Sequence, residues 1–577
     1  MASSEDEGEC DEPMIALGGP QGRTEYVLLH PPAALPPGWA RASPSEGAAA
    51  GSLPYDLTYR MLRTECRLVR DVLEANGFRP TSGPDFNVLW TGAAVTHAQL
   101  QGLNAYQKVN RFPHMHEITR KDRLCRNIFR MRELHGARHF DFIPSTYVLP
   151  AEYDQLIAEH QRIRDAVWIT KPCASSCGRG ITIGAALHHL PIDEPCVVSR
   201  YLTNPLLVDG FKFDMRLVRV PRRPSASAPR ASPARAAASL TRAICAGASR
   251  QYVAVTSYEP LRLHLYEEGL ARFATEKYHN SRYTLSNHFM HLTNYSVNKA
   301  NRNFVDNVDA SADDYGNKWS LSALKRFLHK RGVPVELVFR RIDDMILKTA
   351  ISIEPHVLAQ LKASMPHRAN CFQLLGFDVL IDDTLKPWLI EVNLGPSLAA
   401  DTPLDYKVKS TMLADLFTLL SLQPFDKRTV RDARRRQAAG AVDRLSRGQP
   451  AHGQLAEQRA IAAAAGAFAP PGGHPPSRAM PPPPPGADAL PAETLYPSEL
   501  RRALRECDEG DSKAARWRRL FPAASSHAYL GFFDVDRPSN VALADAYLRR
   551  FRAAKAARER EREPVSYTHL RAHETDS

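Results

Sequence analysis

Gly376-Phe-Asp-Val-Leu-Ile-Asp-Asp-Thr-Leu-Lys-Pro-Trp-Leu-Ile-Glu-Val-Asn393 carries two apolar runs on either side of the polar segment Asp382-Asp-Thr-Leu-Lys-Pro387. Apolar runs of this kind, split by a polar stretch that contains proline, predict a β-hairpin with its turn at 382–387. Side chains alternate along a strand, so Glu391 and Asn393 share one face, and pairing of the two strands brings Asp378 near it. Two carboxylates and an amide oxygen are hard donors, the kind magnesium accepts together with water and nucleotide phosphates. Alone, the hairpin reads equally well as a polar face turned to water. The apolar neighbours on both strands, and a second half of the site upstream, argue for the metal.

That upstream half begins with Val167-Trp-Ile-Thr-Lys-Pro172, a strand that ends in a lysine. Ser175-Ser-Cys-Gly-Arg-Gly180 follows, and then a further strand, Ile181-Thr-Ile183. Glycines let backbone N–H groups approach phosphate closely, and Lys171 adds a point charge. The loop joins strand to strand, so it is neither a Walker A loop nor a dinucleotide-binding turn. By itself it is more often a plain turn. Val197-Val-Ser-Arg-Tyr-Leu202 reads as an interdomain hinge that offers backbone groups to an adenine. Phe211-Lys-Phe-Asp214 puts Lys212 and Asp214 within reach of ribose and phosphates. Each of these pieces alone reads as structural.

Outward from these motifs, 577 residues with 44% hydrophobic content leave room for about two to four domains. The net charge of +12 favours an acidic partner without choosing among nucleic acid, anionic membrane and acidic protein. The nine cysteines are odd in number and scattered, and Cys173 and Cys177 have no second pair to make a zinc site. This pattern implies free thiols in a reducing compartment. The N-terminus is acidic with no apolar run, so no signal peptide is expected. No stretch approaches the ~20 apolar residues of a membrane helix. The expectation is a soluble, intracellular chain without membrane insertion.

Residues 1–54 read as disordered, with an apolar patch at Tyr26–Leu29 able to dock. Leu62, Cys66, Val69 and Leu73 give helical periodicity over 55–75, stopped by Asn76-Gly77. Val88-Leu-Trp90 predicts a short buried strand. A globular catalytic region then spans 55–425, interrupted at 219–251 by a low-complexity Pro/Ala/Arg/Ser stretch. That stretch is either a long surface loop or a gene-model insertion such as a retained intron, and the second reading is preferred. Residues 426–495 form a linker, first basic, then rich in Pro and Ala; between 425 and 448 it holds eight Lys/Arg against three Asp. Residues 496–563 read as a basic helical extension. Residues 564–577 match no periodicity and resemble translated adaptor sequence.

Taken together, the motifs resemble the tubulin tyrosine ligase-like family, whose fold is ATP-grasp-like. The resemblance is carried by Asn110-Arg-Phe-Pro113, Thr119-Arg-Lys-Asp-Arg123, Trp168-Ile-Thr-Lys-Pro172, Lys212-Phe-Asp214, His291-Leu-Thr-Asn-Tyr-Ser296, Gly316-Asn-Lys-Trp319 and Glu391-Val-Asn393. It covers roughly 85–425 apart from the insertion. It is closest to the polyglutamylases, through Tyr266-Glu-Glu-Gly-Leu-Ala-Arg-Phe-Ala-Thr275. It implies an α/β, ATP-grasp-like core, a smaller N-terminal α/β domain and a basic, partly helical C-terminal extension.

The same resemblance implies site roles. Lys121, Lys171, Cys177, Gly178, Ser199, Arg200, Tyr201, Leu202, Lys212, Asp214, Thr293 and Asn294 would hold ATP. Asp378, Glu391 and Asn393 would hold two Mg2+ ions. Arg272, Tyr295, Ser296, Lys318 and Lys409 would contact free L-glutamate, with Lys171, Arg272 and Glu391 the catalytic residues. Two positions depart from the family pattern: Cys177, where Arg or Gln is usual, and Leu394, where some elongating members carry His. The implied activity is ATP-dependent polyglutamylation of acidic tubulin tails through an acylphosphate, at the cytoskeleton of the cytoplasm, cilium or basal body. The alternatives are a glutamylase of acidic non-tubulin proteins and a catalytically inactive microtubule-binding relative. A glycylase fits the cationic cluster less well. Nucleic acid is not expected as a partner, because the chain lacks stacking or base-reading motifs. Read alone, His291 and Tyr295 are strand residues, with His291 packed in the core.

Overall fold

The computed structural model describes residues 28–32, 56–173, 180–187, 190, 194–214, 251–365, 367–428, 430–432, 435–436, 504–505, 507–508 and 516–562. The low-complexity stretch 219–251, all but its last residue, and most of 426–515 lie outside the described residues, as does 563–577.

The N-terminal unit is a parallel sheet of β1 (Thr58–Leu62), β2 (Arg79–Pro80), β3 (Val88–Thr91) and β4 (Lys108–Val109), in the order β2-β1-β3-β4. The expected helix over 55–75 is corrected here: Thr58–Leu62 is strand, and the helix runs only from Arg67 to Ala75. A short apolar run does not separate the two periods by itself. Hydrogen-bonded neighbours on both sides decide for strand. Asn76 caps the helix, and Gly77 then takes φ +80°, a left-handed conformation that glycine adopts without strain. The strand expected at Val88–Trp90 is β3. Leu29 docks onto the core, its amide donating to Thr418 Oγ1 at 3.0 Å.

Next comes a four-stranded antiparallel sheet of β5 (Thr146–Leu149), β6 (Trp168–Pro172), β7 (Thr182–Gly184) and β8 (Cys196–Arg200), in the order β5-β8-β6-β7. Lys171 sits near the end of β6, opposite Val197 of β8. The glycine loop leads from β6 into β7, and residues 174–179 of it lie outside the described residues.

Among the described residues nine strands follow: β9 (Leu207–Val208), β10 (Phe211–Asp214), β11 (Gln251–Tyr258), β12 (Leu261–Tyr266), β13 (Leu270–Phe273), β14 (Lys318–Ser320), β15 (Gln373–Ile381), β16 (Pro387–Asn393) and β17 (Trp517–Phe521). They build a small sheet, β14-β13-β10-β9, and the main sheet, β16-β15-β11-β12-β17. β11 is the middle strand of the main sheet, and its alternate residues are buried on both faces. Val253 and Val255 pack with the helix Val335–Ile351, whereas Tyr252 and Ala254 pack with the helices Arg67–Ala75 and Pro403–Leu419. A sheet covered on both faces by helices buries near-continuous apolar strands. Truncating a core residue such as Phe377 to alanine costs about 3–5 kcal/mol.

The C-terminal segment read as a basic helical extension is in part a strand of the main sheet. β17 pairs with β12, and Trp517 lies 4.9 Å from the Tyr266 ring. The helix Pro538–Arg562 comes after it, anchored where Arg537 grips the fully buried Glu354 at 2.7 Å.

Candidate active site

β15 and β16 pair antiparallel with Asp378 opposite Glu391 and Gly376 opposite Asn393, and a bulge follows Asp378. Directly opposite residues of an antiparallel pair share a face. The hairpin therefore presents Asp378, Glu391 and Asn393 together. Asn393 Nδ2 donates to Gly376 O and Glu391 Oε1, each at 3.3 Å, which leaves its carbonyl oxygen as an acceptor. All three contribute oxygen donors, a set that suits a hard divalent cation.

The upstream lysines reach the same place. Lys121 Nζ lies 3.5 Å from Glu391 Oε2. Burial pushes the Lys171 ammonium down; the Glu391 charge opposes that, Lys121 adds to it, and Asp378 opposes it again. Four ionisable groups from three distant segments thus act on one another, and tertiary contacts hold them there. The hairpin tip is tied to the chain after β8 through Leu206 N to Ile381 O at 2.8 Å and Asp383 N to Asn204 O at 3.0 Å.

A second group surrounds Tyr201. Lys212 Nζ donates to Tyr201 Oη at 2.9 Å and lies 4.4 Å above its ring. Tyr201 Oη is also 2.9 Å from His291 Nδ1, and His291 Nε2 is 3.4 Å from Thr284 Oγ1. Burial pushes His291 down to about 4, helped by Lys212. The imidazole is therefore neutral near pH 7, with Tyr201 Oη beside its Nδ1 and Thr284 Oγ1 beside its Nε2. His291 is buried, as expected, but it orients Tyr201 and does not merely fill space. The strand expected around it is corrected: His288–His291 and Tyr295–Asn298 are short helices, with Thr293 and Asn294 in the turn between them. In the hinge, Ser199 is buried with its hydroxyl on Thr146 Oγ1 at 3.0 Å, and Arg200 is exposed. The Arg200 and Tyr201 amides donate to Ser145 O and Val167 O, each at 2.8 Å, and Leu202 is half-buried.

The third group lies across the small sheet. Asp214, Arg272 and Lys318 are in register on β10, β13 and β14. The Lys318 ammonium lies 4.4 Å from the Tyr295 ring centre. Asp405 is the residue that sequence reasoning missed. It is 1% exposed, and it pairs with Lys318 and, at 3.1 Å, with Lys409. Burial by itself would raise its carboxyl; Lys409 and Lys318 outweigh this and hold it well below the ordinary range. The two lysines implied for a glutamate carboxylate thus already share one buried carboxylate in this structure. The signal was present but ambiguous. Thr402-Pro-Leu-Asp405 reads as a helix start, with Thr402 Oγ1 accepting from Asp405 N at 3.2 Å, and Asp405–Lys409 is an i,i+4 pair. Lys409 also donates to Ala399 O, which anchors the loop that leaves Asn393.

Among the sequence-derived site residues, Cys177 and Gly178 lie outside the described residues, as do the side chains of Asp214 and Ser296. No described helix is long and apolar enough to cross a membrane.

The sequence profile of the tubulin-tyrosine ligase family matches residues 98–221 and 250–430, more than half of the chain. The chain is 42% identical over 424 residues to tubulin polyglutamylase TTLL5 of Mus musculus, covering 73% of this chain and 29% of that protein. It is 37% identical over 389 residues to tubulin polyglutamylase ttll-5 of Caenorhabditis elegans, covering 65% and 48%. It is 36% identical over 366 residues to tubulin monoglutamylase TTLL4 of Mus musculus, covering 63% and 28%. The match thus spans under a third of the length of either of these two mouse proteins. With a profile match that includes the carboxylate hairpin and the upstream lysines, the chain belongs to the tubulin-tyrosine ligase family.

Proposed function

We propose that the protein is an ATP-dependent polyglutamylase that joins free L-glutamate to glutamate side chains of acidic tubulin tails, on an ATP-grasp-like core. The observation that carries this reading is the meeting of Asp378, Glu391 and Asn393 with Lys121 and Lys171. The identity to relatives named tubulin polyglutamylases supports the substrate.

A carboxylate resists attack by an amine, so it must first be activated. In the proposed reaction an oxygen of the acceptor carboxylate attacks the γ-phosphorus of ATP, and ADP leaves. The glutamate α-amine then attacks the acylphosphate carbon, inorganic phosphate leaves, and the amine loses a proton. Asp378, Glu391 and Asn393 would hold two Mg2+ ions, whose chemistry is to offset charge on the nucleotide phosphates. Lys121 and Lys171 would offset what remains, and Tyr201, fixed by Lys212 and His291, would line the nucleobase end. Arg272 would grip a glutamate carboxylate in fork geometry. Lys318, Lys409 and Asp405 would form one wall of that site, and Tyr295 would form another.

Incubating the full chain with ATP, Mg2+, isotopically labelled glutamate and purified tubulin, followed by mass spectrometry of the tails, tests the proposal. Mass increments of glutamate on tail glutamates are expected. Increments of glycine, or none, would defeat it. Residues 219–251 are proposed to be an insertion, supported by the pause of the family match between 221 and 250.

Attraction to microtubules is proposed to come in part from the basic segment after the core, consistent with a cytoskeletal and ciliary location. Two of its cations are already engaged: Lys427 with Asp56 and Arg431 with Asp85, each at 2.6 Å. Arg435 and Arg436 are exposed. Reversing both to glutamate should weaken co-sedimentation with microtubules more at low salt than at high salt, since surface charges act over about 8–10 Å. Equal losses at both salt levels would rule out an electrostatic dock.

A further inference from the structure

Pro113-His-Met-His-Glu117 leads, through the single helical turn His116–Thr119, into the helix Lys121–His135. His114 takes φ +56°, in the left-handed region that Asn, Asp and His enter more readily than other side chains. The Glu117 N–H donates to His114 O at 3.0 Å and closes a tight turn. His114, His116 and Glu117 meet at this turn. One donor atom from each, two imidazole nitrogens and a carboxylate oxygen, lie within 4.8 Å of one another.

The spacings match a coordination shell. Zn2+ holds nitrogen and oxygen ligands at about 2.0–2.2 Å in a tetrahedron, which puts two ligand atoms about 3.3 Å apart and two imidazole ring centres about 5 Å apart. His116 Nε2 lies 3.2 Å from Glu117 Oε1, and the ring centres of His114 and His116 are 5.5 Å apart. The carboxylate is held in place. Glu117 is 7% exposed, and Asn127 Nδ2 donates to its Oε2 at 3.0 Å, which leaves Oε1 toward the imidazole. A hydrogen bond of this kind orients a metal-binding carboxylate. His116 is half-exposed, so ions reach the site from solvent.

Cations crowd this stretch, and two of them are engaged elsewhere: Arg120 by Asp122 at 3.1 Å and Lys121 by Glu391 at 3.5 Å. The competitor is Arg123, whose guanidinium lies 3.5 Å from Glu117 Oε1. That contact is long, and the Arg123 side chain is 47% exposed, so it can turn out to water.

We propose that His114, His116 and Glu117 bind a divalent ion of the zinc class, separate from the carboxylate hairpin. Two imidazoles and one carboxylate favour zinc, nickel or copper, whereas the all-oxygen donors of the hairpin favour magnesium. Three protein ligands leave a fourth position to water. The turn packs against β16, the strand of Glu391, and Glu117 precedes Lys121 by four residues. A bound ion therefore stiffens the segment that presents Lys121. The site stands whether or not the chain is a ligase.

Co2+ is the probe, added to the untagged full chain in excess Mg2+, since four-coordinate Co2+ absorbs strongly in the visible and Zn2+ displaces it without a band of its own. One equivalent of Co2+ with that band is expected, and Zn2+ should abolish the band and raise the melting temperature. His116→Gln, at a half-exposed position, should remove the band and weaken Zn2+ about 100-fold or more, because losing only a group that orients a ligand costs about 10–100-fold. His114→Gln should act alike, and His116→Gln decides if that variant does not fold. Arg123→Gln takes away the competing cation and should tighten Zn2+ several-fold. No band in the wild type overturns the inference. A band that survives His116→Gln, and so arises from thiolates elsewhere, also overturns it. Unchanged Zn2+ affinity in Arg123→Gln does so too, by removing Glu117 from the ligands.

Discussion

Replacing Glu391 with glutamine is expected to abolish glutamate incorporation, a fall of about 10²–10³-fold or more, while the chain stays folded. The substitution keeps the shape and removes one negative charge from the centre of the hairpin face. Asp378 would then be the remaining carboxylate of the three proposed ligands. Lys121, 3.5 Å from the Glu391 carboxylate, and the buried Lys171 would both lose its compensation. Their positive charge would repel a divalent cation from the ligands that remain. Incorporation of labelled glutamate, measured beside a thermal melt and a Mg2+ titration, checks this. Retained turnover with an unchanged Mg2+ requirement would remove Glu391 from the proposed metal site.

The second large effect is expected at Asp405. Asp405→Asn leaves Lys318 and Lys409 buried and facing each other without a carboxylate between them. Breaking a buried pair by removing one partner typically costs about 3–5 kcal/mol. The melting temperature should fall, and glutamate KM should rise more than ATP KM. The effect should also depend on pH. The Asp405 carboxyl is held below its ordinary value of 3.8, so its contribution to stability is fully present above about pH 4. Below that the unfolded chain takes up the proton first, and the contribution drains away as pH falls toward the depressed folded value. The gap in melting temperature between wild type and variant should therefore be widest near neutrality and shrink in acid. A gap that stays constant down to low pH would show that the two lysines do not depend on the Asp405 charge.

Much of the candidate site is legible because its signals are local. Alternation along β16 puts Glu391 and Asn393 on one face whatever surrounds them, and the polar 382–387 segment forces the chain back so that Asp378 meets them. The lysine-terminated β6 and the strand after the glycine loop are likewise short-range patterns. Where two local periods compete, the reading fails. Thr58–Leu62 carries apolar residues at spacings that suit either a helix or a strand, and pairing with β2 and β3 settles it. His291 and Tyr295, read as strand residues, sit in single helical turns. β17 lay hidden in a basic stretch because its partner β12 is about 250 residues earlier in the chain.

The sequence by itself determined the donor types, their spacing on the hairpin and the apolar strands that must be covered on both faces. Tertiary structure alone decided which charges meet. It set Lys121 and Lys171 against Glu391, placed Asp405 between Lys318 and Lys409, and turned Lys427 and Arg431 back onto Asp56 and Asp85. The physical reason is range. Backbone periodicity is written in neighbouring residues, whereas an ion pair forms between groups that the packing of whole elements brings within a few ångströms.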